Sequence, residues 1–254
     1  MGALKYKVVS TAGALMRGIC ADRLVVPNGQ VFDISSDLDD YNRCALFAGR
    51  YERFEIKLLR RYFELDDTII EIGANIGVVA RYAFLEKLKD GGTYICVEPN
   101  PNSRAALEAN MRRAQALSPK KKFQIVIAAV SGPQNDGKAE DFVLRENLGS
   151  GLASQTKRSE DDTIVQVASR SLGSLMKEFA PNGASLICDV EGAEIPMILE
   201  DPQSFANIRQ MVIELHEPKL TGRPEMVEFM VGKIQELGFA IGGAMDNCFY
   251  LKRG

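Results

Sequence analysis

The run Glu71-Ile72-Gly73-Ala74-Asn75-Ile76-Gly77 stands between a β-branched stretch and a helical one, the junction where open α/β sheets bind their ligands. Gly73 lets the chain turn sharply off a strand, and Gly77 lets the following helix begin close to its neighbours. The N–H groups exposed in such a turn attract the anionic end of a ligand. Glu71, at the strand's end, can take up an ammonium group, and an anion site beside a carboxylate suits an amino-acid zwitterion. A dinucleotide fingerprint needs G-x-G-x-x-G; Asn75 holds the place of its second glycine, so an NAD reading loses its pyrophosphate turn. Glu98 follows 27 residues after Glu71 and leads into Pro99-Asn100-Pro101. An acid at the tip of a second strand can accept both hydroxyls of a ribose.

A second group of reactive residues lies further on: Asp189, Glu191 and Glu194, then Glu214, His216 and Glu217. Glu214 and His216 are two apart on a strand-like run and therefore point the same way. His216 is the only histidine in the chain. Two chemistries fit. In one, Asp189 or His216 removes the proton of a substrate hydroxyl so that its oxygen can act as a nucleophile. In the other, Asp189, Glu214 and His216 hold a divalent metal such as Mg²⁺ that acidifies and orients the hydroxyl. Glu191 and Glu194 could instead favour the N-terminal dipole of the next helix, and that structural role is the one expected of Glu194.

Positioning both groups on one edge requires a parallel sheet. From about Asp66 onward, short β-branched runs alternate with helical stretches, which reads as βαβ units. The expected strands are Thr68–Ile72, Thr93–Val97, Phe123–Ala128, Ser185–Cys188 and Met211–Leu215. The expected helices are Ile76–Leu88, Ser103–Ala116, Ser171–Phe179 and Ile195–Leu199. Near-continuous apolar strands such as Ile125-Val126-Ile127 suit a sheet covered on both faces. At the end, Phe239–Ile241 and Phe249–Leu251 flank the connection Gly242 to Asn247, which reads as an antiparallel hairpin. Gly132 to Thr163 breaks the rhythm: it is loop-like, with only Phe142-Val143-Leu144 resembling a strand, and reads as a substrate lid or a floppy insertion. Residues 1–65 form an N-terminal α/β extension contributing to an acceptor pocket, in which Tyr51 and Glu52 are candidates by position. It holds an amphipathic helix (Leu4, Val8, Ala12, Leu15, Ile19), an extended stretch near Gln30–Ile34, an acidic turn at Asp37–Asp40 and a helical run from Tyr51 to Phe63. Residues 66–254 form the ligand-binding domain.

The composition fits this reading. Across 254 residues, 46% hydrophobic and 26% charged are ordinary globular values that exclude a wholly disordered chain. The formal net charge of −3 argues against a dedicated nucleic-acid binder. Five scattered cysteines without a CxxC pair suit a reducing, cytoplasmic setting. No apolar run approaches the roughly 18 residues that span a bilayer.

At the motifs Glu71-Ile-Gly-Ala-Asn-Ile-Gly, Val97-Glu-Pro-Asn-Pro, Ala129-Val-Ser, Asp189-Val-Glu-Gly-Ala-Glu and Ile213-Glu-Leu-His, the chain resembles the class I S-adenosylmethionine-dependent methyltransferases. More narrowly, it resembles the FkbM-type family, whose motif order it follows over residues 66–218. The resemblance implies a doubly wound, Rossmann-like seven-stranded sheet with a C-terminal antiparallel hairpin strand. It implies that Gly73, Ala74, Asn75 and Gly77 wrap the methionine moiety of S-adenosylmethionine, with Glu71 facing that end. Glu98, at the tip that continues into Pro99 and Asn100, would hold the ribose, and Ala128 and Ala129 would flank the adenine. Glu71 stands where many relatives carry Asp, and its longer side chain would reach its partner through a shifted geometry or a water. Asp189 closes the fourth strand, where this fold class faces the departing methyl group.

The expected activity is O-methylation of a small acceptor such as a sugar or secondary metabolite, with S-adenosylhomocysteine as the product. A nucleic-acid base methyltransferase is the alternative enzyme, but Asp189-Val190-Glu191-Gly192 stands where exocyclic-amine enzymes place N/D-P-P-Y/F. A cofactor-binding module without catalysis is the alternative from another class. Neither a nucleic-acid partner nor a membrane span is expected.

Overall fold

The computed structural model describes residues 22–34, 38–145, 150–154, 162–216 and 225–254. Ahead of Asp66 lie β1 (Arg23–Val25), β2 (Val31–Asp33), α1 (Asp40–Phe47) and α2 (Arg53–Tyr62). There follow β3 (Asp66–Ile72), α3 (Val78–Glu86), β4 (Leu88–Val97), α4 (Arg104–Leu117) and β5 (Lys122–Val126). Four short strands come next: β6 (Ala129–Val130), β7 (Ala139–Leu144), β8 (Gly151–Leu152) and β9 (Thr163–Arg170). The chain ends with α5 (Leu172–Phe179), β10 (Ala184–Cys188), α6 (Glu194–Glu200), β11 (Ile208–Glu214), α7 (Glu225–Glu236), β12 (Phe239–Met245) and β13 (Cys248–Arg253).

The large sheet has seven strands in the order β12-β13-β11-β10-β3-β4-β5. Five of them, from β11 to β5, pair in parallel, while β13 runs antiparallel to both β11 and β12. Alternate residues of the apolar strands feed two separate cores. Ile70, Ile72, Ile95, Leu186 and Met211 pack with Leu172, Leu175, Met197 and Met230 from α5, α6 and α7. Ile69, Tyr94, Cys96, Ile187 and Val212 pack with Leu58, Leu59, Phe84 and Met111 from α2, α3 and α4. Helices on both faces make this the doubly wound sheet that the alternation implied. No described helix is long and apolar enough to cross a membrane.

The hairpin is tighter than its glycines suggest. Gly242, Gly243, Ala244 and Met245 belong to β12, and only Asp246-Asn247 forms the turn. The two glycines make room instead: a Cβ on Gly242 would strike the Tyr250 ring, and one on Gly243 would strike Tyr62. These two rings stack at 5.5 Å where α2 covers the sheet. The third strand of the sequence reading also changes, since it stops at Val126. Ala128 lies outside it, and Ala129 opens β6 in a different sheet.

The insertion was expected to be a lid or a floppy loop. Its described part supplies β7 and β8 to a four-stranded sheet in the order β6-β9-β7-β8, whose small core is Ala129, Phe142, Leu152, Val167 and Ala193. β9 has only two fully buried residues, too weak an apolar pattern to read as a strand. Residues 146–149 and 155–161 of this segment lie outside the described residues, as do the N-terminal amphipathic run, Cys20, Asp37 and Glu217. In the acidic turn, Asp39 caps α1 by accepting from the Asn42 N–H at 2.7 Å.

β1 and β2 pair as a small hairpin whose Leu24 and Phe32 pack with Leu46 of α1 against Ile76, Val78 and Ala106. Asn110 fastens the junction: its amide donates to the Asp33 and Ile76 carbonyls at 2.8 Å, and its oxygen accepts from the Asp33 N–H at 2.8 Å.

Asp66 ties the starts of three strands. It accepts from Ser185 on β10 and from Arg209 on β11, with Arg209 Nε at 2.8 Å. Burial alone would raise its pKa, but the hydrogen bonds from Arg209, Asp67 and Ser185 hold it well below the usual carboxylate range. A group depressed in this way stabilises the fold above its unfolded pKa of about 3.9, and that contribution fades as pH falls toward the folded value. Asp66→Asn should therefore cost about 1.5–3 kcal/mol in urea unfolding at pH 7. The gap to wild type should narrow below about pH 4; an equal gap at pH 7 and pH 3 would refute the electrostatic origin.

Candidate active site

The carboxyl ends of β3, β4, β10 and β11 meet at one edge of the sheet. Gly73 leaves β3 with φ +88°, and its N–H donates to the Val97 carbonyl at 2.9 Å. A Cβ on Gly73 would overlap the Asp189 carbonyl oxygen, so only glycine lets the β3 turn pass against the end of β10. Gly77 serves packing: a Cβ there would come within 2.8 Å of Leu107 Cδ1 on α4. Glu98 binds the two loops together. Its Oε2 accepts from the Asn75 N–H and its Oε1 from the Asn100 N–H, both at 2.7 Å. Burial raises the Glu98 pKa to about 7 against the pull of those two N–H groups.

A cavity opens over these loops. Gly73, Asn75, Glu98, Pro99, Asn100, Ala128, Ala129, Asp189 and Glu191 all line it, so most residues singled out in the sequence come together. Three do not. Ala74 is buried beneath the turn in the α3 core, Gly77 packs on α4, and Glu71 lies behind the cavity. Glu71 is buried and receives the Tyr94 hydroxyl at 2.7 Å. Burial first, then the charges of Asp189 and Glu98, push its pKa up to about 8, with the Tyr94 bond opposing. By strand alternation Glu71 shares the face of Ile69, under α3. The insertion supplies Phe142, Arg145, Ser150 and Leu152 to the same cavity, so its described part is a wall.

Tyr51 and Glu52 also line this cavity, and together with Asp189 they line a second one beside it. The second cavity holds about 380 Å³ and is walled by Arg50, Phe54, Glu55 and Glu214 among others. Tyr51 is anchored to the Gly73 turn through its hydroxyl, which accepts from Asn75 Nδ2 at 3.1 Å. Glu55 was missed in the sequence, although it shares a helical face with Leu58, Leu59 and Tyr62. A carboxylate on that apolar stripe was the available signal. It is buried and accepts from the Cys248 thiol at 3.2 Å.

His216 sits inside a cage of carboxylates. Its Nε2 lies 3.6 Å from Asp189, 3.8 Å from Glu214 and 3.9 Å from Glu191, and its Nδ1 is 3.2 Å from Glu194. Burial would lower its pKa, but the Glu194 hydrogen bond and the surrounding negative charges raise it to about 10. The negative charges around it thus favour the protonated imidazole. Glu194 is fully buried and does more than face a helix dipole. It accepts from the Gly192 N–H at 2.8 Å and the His216 N–H at 2.6 Å, bracing the end of β10 against the end of β11. Asp189 keeps 34% of its side chain exposed. Burial chiefly, and then Glu191, Glu55 and Glu194, raise its pKa to about 7 despite the opposing His216 charge. Glu214 is raised to about 8 by burial, by Asp189 and by its hydrogen bond with Glu55.

The geometry can be set beside known proteins. The sequence model of the methyltransferase FkbM domain matches residues 71–241, and no curated protein matches the chain. Among solved structures, the FkbM methyltransferase of Methylobacillus flagellatus aligns with TM-score 0.47 and 14% identity, over 97% of this chain and 62% of that one. The precorrin-6y C5,15-methyltransferase of Geobacter metallireducens aligns with TM-score 0.44 and 13% identity, over 80% and 86%. TrmK of M. capricolum, solved with S-adenosylhomocysteine, aligns with TM-score 0.40 and 8% identity, over 78% and 66%. The family match runs from the Gly73 turn through the carboxylate cage into the final hairpin, and the chain belongs to the FkbM family of S-adenosylmethionine-dependent methyltransferases.

Proposed function

We propose that the chain transfers the methyl group of S-adenosylmethionine to a hydroxyl of a small polar acceptor, a sugar or a secondary metabolite, with Asp189 taking the proton. One observation carries the reading: Asp189 lines both the cavity over the Gly73 turn and the cavity beside it. The cofactor would occupy the first, with Gly73 and Asn75 at its methionine end and Ala128 and Ala129 at the adenine. Each Glu98 oxygen accepts one backbone N–H and keeps a lone pair for a ribose hydroxyl. The acceptor would enter the second cavity, whose walls come largely from residues 1–65. There the hydroxyl proton passes to the Asp189 carboxylate as the oxygen attacks the methyl carbon. The carbon–sulfur bond breaks in the same step, and S-adenosylhomocysteine leaves. Protonated His216 holds the Asp189, Glu191 and Glu214 carboxylates together by its charge. A wall of carboxylates disfavours a polyphosphate acceptor.

Asp189, Glu214 and His216 place ligand atoms within 4.8 Å of one another. They would be the ligands of a divalent ion once Nε2 lost its proton, and that ion would acidify a bound hydroxyl. The proposed route needs only the carboxylate.

Two tests follow. With Asp189 raised to about 7, the carboxylate is protonated and inactive below that pH. The kcat/KM should then climb through neutrality and level off above it, with or without EDTA. A profile flat from acid to alkaline pH, or activity abolished by EDTA and restored by Mg²⁺, would count against Asp189 as the metal-free base. Glu98→Gln should weaken S-adenosylhomocysteine by about 1–3 kcal/mol in calorimetry; unchanged affinity would remove the ribose role.

A further inference from the structure

We propose that the cavity between the N-terminal hairpin and α3 is a second ligand site, one that takes a small amphiphile carrying a single anionic head group. This cavity holds about 470 Å³ and shares only Tyr51 with the cavity over the Gly73 turn. Phe32, Leu46 and Leu85 are among its apolar walls, and Asn28, Gln30, Arg60, Arg81, Tyr82 and Glu86 are its polar groups. A volume of this size suits a small organic ligand.

Arg81 points to the head group. It is only 7% exposed, and its Nη1 donates to the Val31 carbonyl at 2.7 Å. Its guanidinium lies 4.9 Å from the centre of the Phe32 ring. Its Nε is buried and bonds to nothing, and no carboxylate pairs with it among the described residues. A buried cation without a counterion is costly. Asp33, next to Phe32 in the chain, is already held by Arg113 at 2.6 Å and by Arg23 at 2.9 Å. Glu86, the one carboxylate among the lining residues, is exposed and pairs with neither Arg81 nor Arg60 among the described residues. Arg60 adds a second positive charge to the same wall. An anion on an apolar body would satisfy the arginine and fill the walls in one step.

The test is calorimetry on the full chain with decanoate and, as the uncharged control, decanol. Decanoate should bind at least about tenfold more tightly than decanol, and saturating S-adenosylhomocysteine should leave its affinity unchanged. Arg81→Gln should weaken decanoate about tenfold or more while S-adenosylhomocysteine binds as in wild type. Should Arg81→Gln fail to fold, Arg60→Gln, at an exposed position, should still weaken decanoate several-fold. Equal binding of decanoate and decanol, displacement by S-adenosylhomocysteine, no binding, or wild-type affinity in the folded variants would each overturn the proposal.

Discussion

Asp189→Asn should bind S-adenosylhomocysteine with wild-type affinity and turn over about 10²–10⁴-fold more slowly, the range a placed general base contributes. Asparagine matches aspartate in size and keeps the backbone bond from the residue 189 N–H to the Ile72 carbonyl, 3.0 Å long in the wild type. What it loses is the ability to accept a proton. The cage around His216 keeps Glu191, Glu194 and Glu214, so the imidazolium stays in place and the change isolates the base. Calorimetry and acceptor-dependent release of S-adenosylhomocysteine separate the two effects. Wild-type turnover in the variant would move proton removal elsewhere, with Glu214 the first candidate because it lines the same second cavity. Loss of cofactor binding would instead make Asp189 part of the nucleotide site.

Gly73→Ala should damage the fold itself. Two costs coincide at this residue. Its φ of +88° is a left-handed backbone that an L side chain adopts only with strain of about 1–3 kcal/mol. The added methyl would also overlap the Asp189 carbonyl oxygen, forcing β3 and β10 apart at the point where the transfer site is assembled. A loss of at least about 3 kcal/mol in urea unfolding is expected, with S-adenosylhomocysteine binding lost in any folded fraction. Gly29→Ala is the control, because Gly29 has φ +82° and nothing within 4 Å of an added Cβ. It should cost only about 1 kcal/mol. If both variants lose the same stability, backbone strain alone accounts for Gly73 and the close approach to Asp189 contributes nothing.

The sheet was legible because β3, β4, β10 and β11 carry nearly continuous apolar runs at their carboxyl halves, and the ligand-side loops because Gly73, Glu98 and Asp189 each fall at a strand's end. Three features escaped for separate physical reasons. The strands of the four-stranded sheet are half-exposed around a five-residue core, so β9 carries no strong apolar pattern. Gly242 and Gly243 look like a turn in sequence, but they are spaces for the rings of Tyr250 and Tyr62 respectively, and the contact of Gly243 with a ring on α2 is one that no local pattern encodes. The roles of Glu194 and His216 depend on four carboxylates from two strand ends meeting one imidazole. Sequence spacing could bring Glu214 and His216 to one place, but it could not say which way the proton would lie.

Methyl transfer to oxygen is tested most directly by supplying S-adenosylmethionine labelled with ¹³C at the methyl group, together with a panel of sugars and polyols, and following the label by NMR and mass spectrometry. The prediction is that S-adenosylhomocysteine forms one-for-one with a product whose labelled methyl is bonded to oxygen. Label transferred to nitrogen, or transferred to RNA while every hydroxyl acceptor stays unlabelled, would contradict it.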